Sequence, residues 1–299
     1  MKLLLVVCGP TGTGKTSLAI HLARSFHGEI ISADSRQIYK YMNIGTGKAT
    51  PEERKKTVHH LLDTVDPAQT YCAADFVKEA VPIIERLWEQ KTLPIIEGGT
   101  GFYMSALLDG VDSIGVPPDF SFRDTLKYVS KEVLYERLLK LDPKRASTID
   151  RNNPRRLIRA LEVVQSKERQ VVSTLTYDNV LRIGLTADKK YLFERSDKRL
   201  KQAVEGGLIE EIESLLQKGY TWDLPSMSSI WYLPVKAYLE KNETREELTT
   251  HLQTETHRYI RRQMTWFKKD ARIQWFDIRE KELHKKVEEK VTVFLKENA

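Results

Sequence analysis

Gly9-Pro10-Thr11-Gly12-Thr13-Gly14-Lys15-Thr16 follows the apolar run Leu3-Leu4-Leu5-Val6-Val7 and precedes Ser17-Leu18-Ala19-Ile20-His21-Leu22-Ala23. The octapeptide matches G-x-x-x-x-G-K-[ST] at every fixed position, the pattern of a phosphate-binding loop. The run before it predicts a parallel strand buried on both faces, and the segment after it a helix. Glycines let the backbone wrap an anion, with N–H groups and the helix N-terminus pointing at it. Lys15 adds a point charge on the terminal phosphate, and the Thr16 hydroxyl is placed to hold Mg²⁺. Strand, loop and helix agree. Gly9, Pro10, Thr11, Gly12, Thr13, Gly14, Lys15 and Thr16 are therefore expected to bind a di- or triphosphate.

A chain of 299 residues can hold one large core and a smaller second unit. Its only cysteines, Cys8 and Cys72, lack zinc-ligand spacing, and Cys8 beside the loop reads as core. The apolar run after Met1-Lys2 is too short for a signal peptide and runs straight into the loop. No segment approaches the roughly 18 apolar residues that span a membrane, so a cytoplasmic protein is expected. Residues 151–170 carry six basic against two acidic side chains, and residues 257–272 six against one. With the whole chain at +6, the remainder is net negative. Such focused positive charge suggests a polyanionic partner; a solvated helix face is the plainer alternative.

The expected fold class is α/β: a parallel-sheet core like that of phosphate-loop NTPases, with a mainly helical insertion. A second strand over 29–33 leads into Asp34-Ser35-Arg36-Gln37, at the sheet edge where open α/β folds bind ligands. Residues 71–90 predict a helix that Pro82 could kink. A third strand over 93–97 is closed by Gly98-Gly99-Thr100-Gly101, and a helix restarts over 102–108. Composition changes near Gly115-Val116-Pro117-Pro118. Residues 117–178 read as the insertion, between core segments 1–116 and 179–299. A strand is expected at 181–185, one helix over 189–218 ended by Gly219, a loop over 224–232, and mainly helix from Arg245 onward.

A phosphate loop does not choose a chemistry. No apolar strand ends in an Asp suited to a Walker B role; Glu97, after Ile95-Ile96, is the nearest, and an ATPase assignment would rest on it. The guanine-selecting Asn-Lys-x-Asp is absent, which argues against a GTPase. Other ordered segments are more specific. They are Asp34-Ser35-Arg36-Gln37-Ile38-Tyr39, Asn43-Ile44-Gly45-Thr46-Gly47-Lys48, His59-His60-Leu61-Leu62-Asp63, Gly98-Gly99-Thr100-Gly101-Phe102-Tyr103 and Asn152-Asn153-Pro154-Arg155-Arg156-Leu157-Ile158-Arg159. Together they resemble the tRNA dimethylallyltransferases, or isopentenyltransferases, over residues 6–267.

The resemblance implies an enzyme that moves a dimethylallyl group from dimethylallyl diphosphate to N6 of adenine 37, beside a tRNA anticodon, and releases diphosphate. It implies as partner an anticodon stem-loop carrying adenines 36 and 37, and Mg²⁺ as cofactor. Asp34 matches the family's general base; a helix cap or a Mg²⁺ ligand beside Thr16 are its other roles. Thr100 matches a residue near the reacting groups, or is a turn hydroxyl. Arg199 matches an arginine near the diphosphate. Arg195 stands one helical turn away, and either could instead pair with Glu194 or Asp197. Ser35, Arg36 and Gln37, with Asp34 and Thr100, match the loop that reads the target base. Arg123 and the run Arg155, Arg156, Leu157, Ile158 and Arg159 match family tRNA contacts. Tyr39, Tyr103 and Trp231 are candidate stacking surfaces, with core burial the default.

One stretch departs from the family pattern. In Ser226-Met227-Ser228-Ser229-Ile230-Trp231-Tyr232-Leu233-Pro234, Trp231 stands for a glycine and Leu233-Pro234 for a Lys-Glu pair, so no tRNA contacts are carried over there. The zinc appendage of some eukaryotic relatives is absent, which favours a bacterial type. A monomer is expected. The rival readings are a small-molecule or nucleotide kinase using the same loop, an RNA clamp without chemistry, and an enzyme that prenylates free AMP or ATP, against which the basic insertion argues.

Overall fold

The protein's structure, a computed structural model, describes residues 1–166 and 175–298. Lys167 and Arg169 of the first basic cluster lie outside the described residues. The chain divides into two units: Met1–Leu108 with Thr174–Ala299, and Asp109–Ser173.

The first unit begins β1 (Leu3–Cys8), α1 (Lys15–Ser25), β2 (Gly28–Ser32), one turn of α2 (Pro51–Arg54), the two-residue β3 (His59–His60), α3 (Ala73–Glu89), β4 (Leu93–Gly98) and α4 (Gly101–Leu108). The second unit supplies α5 (Phe120–Leu126), α6 (Lys131–Leu141), α7 (Pro143–Ala146) and α8 (Pro154–Gln165). The first then resumes with β5 (Asn179–Thr186), α9 (Lys189–Glu205), α10 (Leu208–Gln217), α11 (Tyr232–Leu239), α12 (Arg245–Phe267), β6 (Ile273–Asp277) and α13 (Leu283–Glu297).

These strands form one parallel sheet in the order β3-β2-β4-β1-β5-β6. β1 is apolar throughout because both of its faces are covered. Leu5 and Val7 pack with Leu18 and Leu22 of α1 and Val287 and Val291 of α13. Leu4 and Val6, which alternate with them, are buried too. Cys8 pairs with Gly98 of β4 and Gly184 of β5. Burial pushes its thiol up to about 12, so it is core rather than a nucleophile. Because the strands are parallel, the phosphate loop after β1, the segment after β2 and the glycines ending β4 share one sheet edge.

Several elements differ from the sequence expectation. The single helix expected over 189–218 is two, α9 and α10, broken at Gly206-Gly207. Gly207 holds φ 103°, a left-handed conformation that glycine adopts without a steric penalty. The mainly helical tail contains β6, which pairs with β5 from Arg182↔Ile273 to Thr186↔Asp277. β6 is an edge strand and mostly half-buried, so it shows no continuous apolar run. α3 continues through Pro82. Among the described residues, no helix is long and apolar enough to cross a membrane.

The second unit closes α5, α6, α7 and α8 around Leu126, Leu134, Leu138, Ala146, Leu157 and Leu161. Each helix starts on a side-chain cap: Asp119, Ser130, Asp142 and Asn153 accept the N–H groups of Phe122, Val133, Arg145 and Arg156. Such caps contribute about 1 kcal/mol each. The unit boundaries fall after residues 108 and 173 rather than at 116 and 178. Arg159 Nη2 donates to the Val116 carbonyl at 2.6 Å, which ties 109–116 to the helices. Lys2 N donates to Asp178 Oδ2 at 2.7 Å, just where β5 starts to pair with β1.

Candidate active site

The shared sheet edge opens into a cavity of about 870 Å³, room for a diphosphate ligand and a second reactant. Thr11, Gly12, Gly14, Lys15 and Thr16 line it beside Asp34, Ser35, Arg36 and Gln37. Glu97, Arg195, Arg199 and Gln263 complete the polar wall.

The loop is shaped before any ligand arrives. Thr13 Oγ1 and Lys15 Nζ donate to the Pro10 carbonyl at 2.9 and 3.0 Å. Thr11 N–H is taken by Gln263 Oε1 at 2.9 Å, and Gln263 Nε2 donates to Gly99 O at 3.0 Å. The donors left for an anion are thus the N–H groups around Gly12 to Thr16, at the start of α1. Burial lowers the Lys15 pKa, with Glu97 and Asp34 acting against that.

Both arginines expected near a diphosphate reach this cavity, because positions 195 and 199 share one face of α9. Arg195 Nε donates to Gly12 O at 2.5 Å. Arg199 donates from Nη1 to Thr11 Oγ1 at 3.2 Å and from Nη2 to Gly47 O at 3.3 Å. Burial lowers the Arg199 pKa, opposed by Asp34, Glu53 and Glu97. The oxygens that hold the Arg199 guanidinium, Thr11 Oγ1 and Gly47 O, are both neutral, so its charge is available to an oxyanion in the cavity.

Asp34 leaves β2 at the same edge. Its Oδ1 accepts the N–H groups of Arg36 at 2.9 Å and Gln37 at 3.3 Å. Oδ2 has no hydrogen-bond partner among the described residues. Asp34 is therefore a turn-capping residue and also an aimed carboxylate. Thr100 Oγ1 accepts the Ser35 N–H at 3.0 Å and lies 3.3 Å from Ser35 Oγ, bracing the same loop. Arg36 spends its guanidinium on the Pro225 carbonyl (2.6 Å) and Ser228 Oγ (3.2 Å). Gln37 Nε2 donates to Gly47 O at 3.3 Å.

Three aromatic candidates for stacking are core instead: Tyr39, Tyr103 and Trp231 are 2%, 5% and 6% exposed. Trp231 Nε1 donates to Thr256 Oγ1 at 2.8 Å, which fixes the indole inside. Even so, Ser228, Ser229, Ile230 and Trp231 line the cavity, although their stretch was set aside in the sequence. Tyr259 and Gln263 line it too, without having been singled out in the sequence, as do Arg262 of the second basic cluster and Glu97, noted there only for an ATPase reading. Gln263 left one signal. It interrupts the buried stripe Leu252, Thr256, Ile260 and Phe267 of α12 with a side chain that must find partners.

In the helical unit, Leu157 is 0% exposed and belongs to the core. Its expected side-chain contact with RNA is therefore corrected; it positions α8. Ile158 packs partly against the same cluster. Arg123 forms a fork onto Glu162, Nε to Oε1 and Nη2 to Oε2, each at 2.8 Å, and Arg159 pairs with the same carboxylate. Arg155 and Arg156 are exposed.

The family model for IPP transferase matches residues 37–270. A tRNA dimethylallyltransferase of Carboxydothermus hydrogenoformans is 40% identical, over 97% of this chain and 96% of that protein. The solved tRNA isopentenylpyrophosphate transferase of Bacillus halodurans superposes with TM-score 0.76 at 35% identity, covering 99% of this chain and 98% of the other. A eukaryotic dimethylallyltransferase described as acting on tRNA superposes with TM-score 0.76 at 29% identity, covering 93% and 74%.

Proposed function

The chain belongs to the IPP transferase family, and from that premise we propose that it is a prenyltransferase that modifies tRNA, moving the dimethylallyl group of dimethylallyl diphosphate to N6 of adenine 37. The observation that carries this reading is a shared cavity: the phosphate loop, Arg199 and the Asp34 carboxylate line one space. A kinase needs the loop and the arginines. A carboxylate base facing the acceptor would serve a kinase as well; it is the relatives named above that do not favour one.

In this reading the diphosphate sits on the N–H groups at the start of α1, with Lys15, Arg195 and Arg199 around it. The N6 lone pair attacks C1 as the C1–O bond breaks, and the bonding electrons leave with diphosphate. The adenine amino group is a poor nucleophile, so its proton must go to a base. Asp34 Oδ2 takes that proton, while the Arg36 and Gln37 N–H groups hold Oδ1 in place. Thr100 keeps the Ser35 backbone in register with Asp34. Reaching adenine 37 requires unstacking a base, at a cost of a few kcal/mol and least in a single-stranded loop. Exposed Arg155 and Arg156 offer phosphate contacts that offset it.

Oxygen donors suit a hard cation, and Thr16 and Asp34 supply them in the cavity. Among the described residues no cluster of three or more His, Cys, Asp or Glu is poised for a metal. Magnesium itself keeps several waters and binds through one or two carboxylates plus substrate phosphates. When bound, magnesium would neutralise charge on the departing diphosphate. We expect a cytoplasmic protein, because tRNA is the substrate, and a monomer, because its tRNA-binding surface would be self-sufficient.

The test is the co-product. With dimethylallyl diphosphate and unmodified tRNA, diphosphate should appear only when both are present, one per RNA modified. Conversion of ATP to ADP with a small acceptor, and none of this release, would overturn the reading.

A further inference from the structure

Glu97 closes β4, the strand between β1 and β2, opposite Val7 on one side and Ser32 on the other. It is 4% exposed. A carboxylate in such a place is costly unless something pairs with it. Its hydrogen bond is with Thr16: Thr16 Oγ1 donates to Glu97 Oε1 at 3.3 Å. Thr16 is the loop residue whose hydroxyl is placed for a cation. With its proton donated to Glu97, the lone pairs of that oxygen remain for a cation in the cavity that Thr16 lines.

We propose that Glu97 is the positioning carboxylate of the divalent-cation site: it accepts the hydrogen bond of the Thr16 hydroxyl, so that the oxygen's lone pairs face the cation, and it adds the negative charge that a cation between loop and diphosphate requires. The inference rests on the phosphate-site reading above. A hydroxyl alone is a weak ligand for a hard cation. An acceptor behind it strengthens and orients it, as carboxylates do behind other metal ligands. β4 lies directly beside β1, so a carboxylate ending β4 faces the first turn of α1. Asp34 occupies the corresponding end of β2, and its Oδ1 is already taken by its own turn. A simple counter-ion for Lys15 would show itself differently, by acting on anion binding with or without metal.

Manganese and inorganic diphosphate are suitable probes, read by electron paramagnetic resonance and calorimetry. Glu97→Gln keeps the volume and an accepting oxygen but removes the charge. Mn²⁺ affinity of the diphosphate-bound variant should fall about 10- to 100-fold, the usual effect of losing an outer-shell partner. Diphosphate binding in chelator should be unchanged or tighter. Glu97→Leu, which also loses the acceptor, should weaken Mn²⁺ further; if it does not fold, Glu97→Gln alone decides. Equal Mn²⁺ affinity in wild type and Glu97→Gln overturns the inference and leaves the phosphate site standing. An equal loss of diphosphate binding with and without metal also overturns it, in favour of the counter-ion. A wild type that binds no diphosphate overturns both readings.

Discussion

Arg199 reaches the Gly47 carbonyl with Nη2 at 3.3 Å, and Gly47 adopts φ +61° directly against that guanidinium. The loop after β2 and the face of α9 meet there because glycine has no side chain. A Cβ at Gly47 would fall on the Arg199 guanidinium. Gly47→Ala should therefore act in two separable ways. The left-handed backbone costs about 1–2 kcal/mol of stability. The flexible arginine should swing away, giving up charge-assisted bonds to diphosphate worth about 1.5–3 kcal/mol, or roughly 10- to 100-fold in kcat/KM. Thermal melts and steady-state kinetics separate the two; unchanged kinetics would show that Arg199 does not hold the anion.

Asp34→Asn preserves an oxygen for the Arg36 and Gln37 N–H groups and removes the base. The single-turnover rate should fall about 10²- to 10⁴-fold, with tRNA and diphosphate affinities changed little. Asp34→Ala should also loosen the turn and weaken tRNA binding. Rapid-quench rates beside filter-binding affinities test this; a near-normal rate in Asp34→Asn would remove Asp34 as the base.

Glu162 controls the acid stability of the helical unit. Burial works to raise its pKa, but hydrogen bonds from Arg123, Arg159 and the Asp119 N–H outweigh that, and the net shift is downward. A carboxylate whose folded pKa is depressed contributes stability that is present above its unfolded pKa, and that is lost as pH falls through the folded one. The helical unit should thus loosen below about pH 4, the ordinary carboxylate range, and not near neutrality. Glu162→Gln should destabilise it by about 1–3 kcal/mol at pH 7, since Arg123 and Arg159 both lose this carboxylate. The variant should show less of the acid dependence. Hydrogen exchange of α5 and α8 against pH measures both.

Arg155 and Arg156 are exposed on the first turn of α8. Each Arg→Ala change should leave the melting temperature and diphosphate binding unchanged. Each should lower tRNA affinity and reduce the slope of log K against log salt by about 1. Salt titrations of tRNA binding check it, and unchanged slopes would remove these arginines from the RNA surface.

The parts that were legible in the sequence are those with local signatures. The phosphate loop announces itself through fixed glycines between an apolar strand and a helix, and Asp34 through its place after the next strand. Elements set by distant contacts were hidden. β6 is held to the sheet by β5 alone, and its alternation is too weak to stand out from the surrounding helices. The break at Gly206-Gly207 lies inside the single helix expected over 189–218, where the apolar periodicity continues on both sides of it. Gln263 acquires its role only when α12 packs so that one amide joins Thr11 and Gly99 across more than 160 residues. Leu157 sits among arginines in a family motif, yet its helical phase turns it to the core.

The most direct test of the account is the mass of the RNA. Wild-type protein, magnesium and dimethylallyl diphosphate should be mixed with an unmodified anticodon stem-loop carrying adenines 36 and 37, and in parallel with full-length tRNA. The account predicts a gain of one dimethylallyl group, lost when adenine 37 is replaced and strongly slowed in Asp34→Asn. No gain on either RNA, from protein that binds both tRNA and diphosphate, would contradict it.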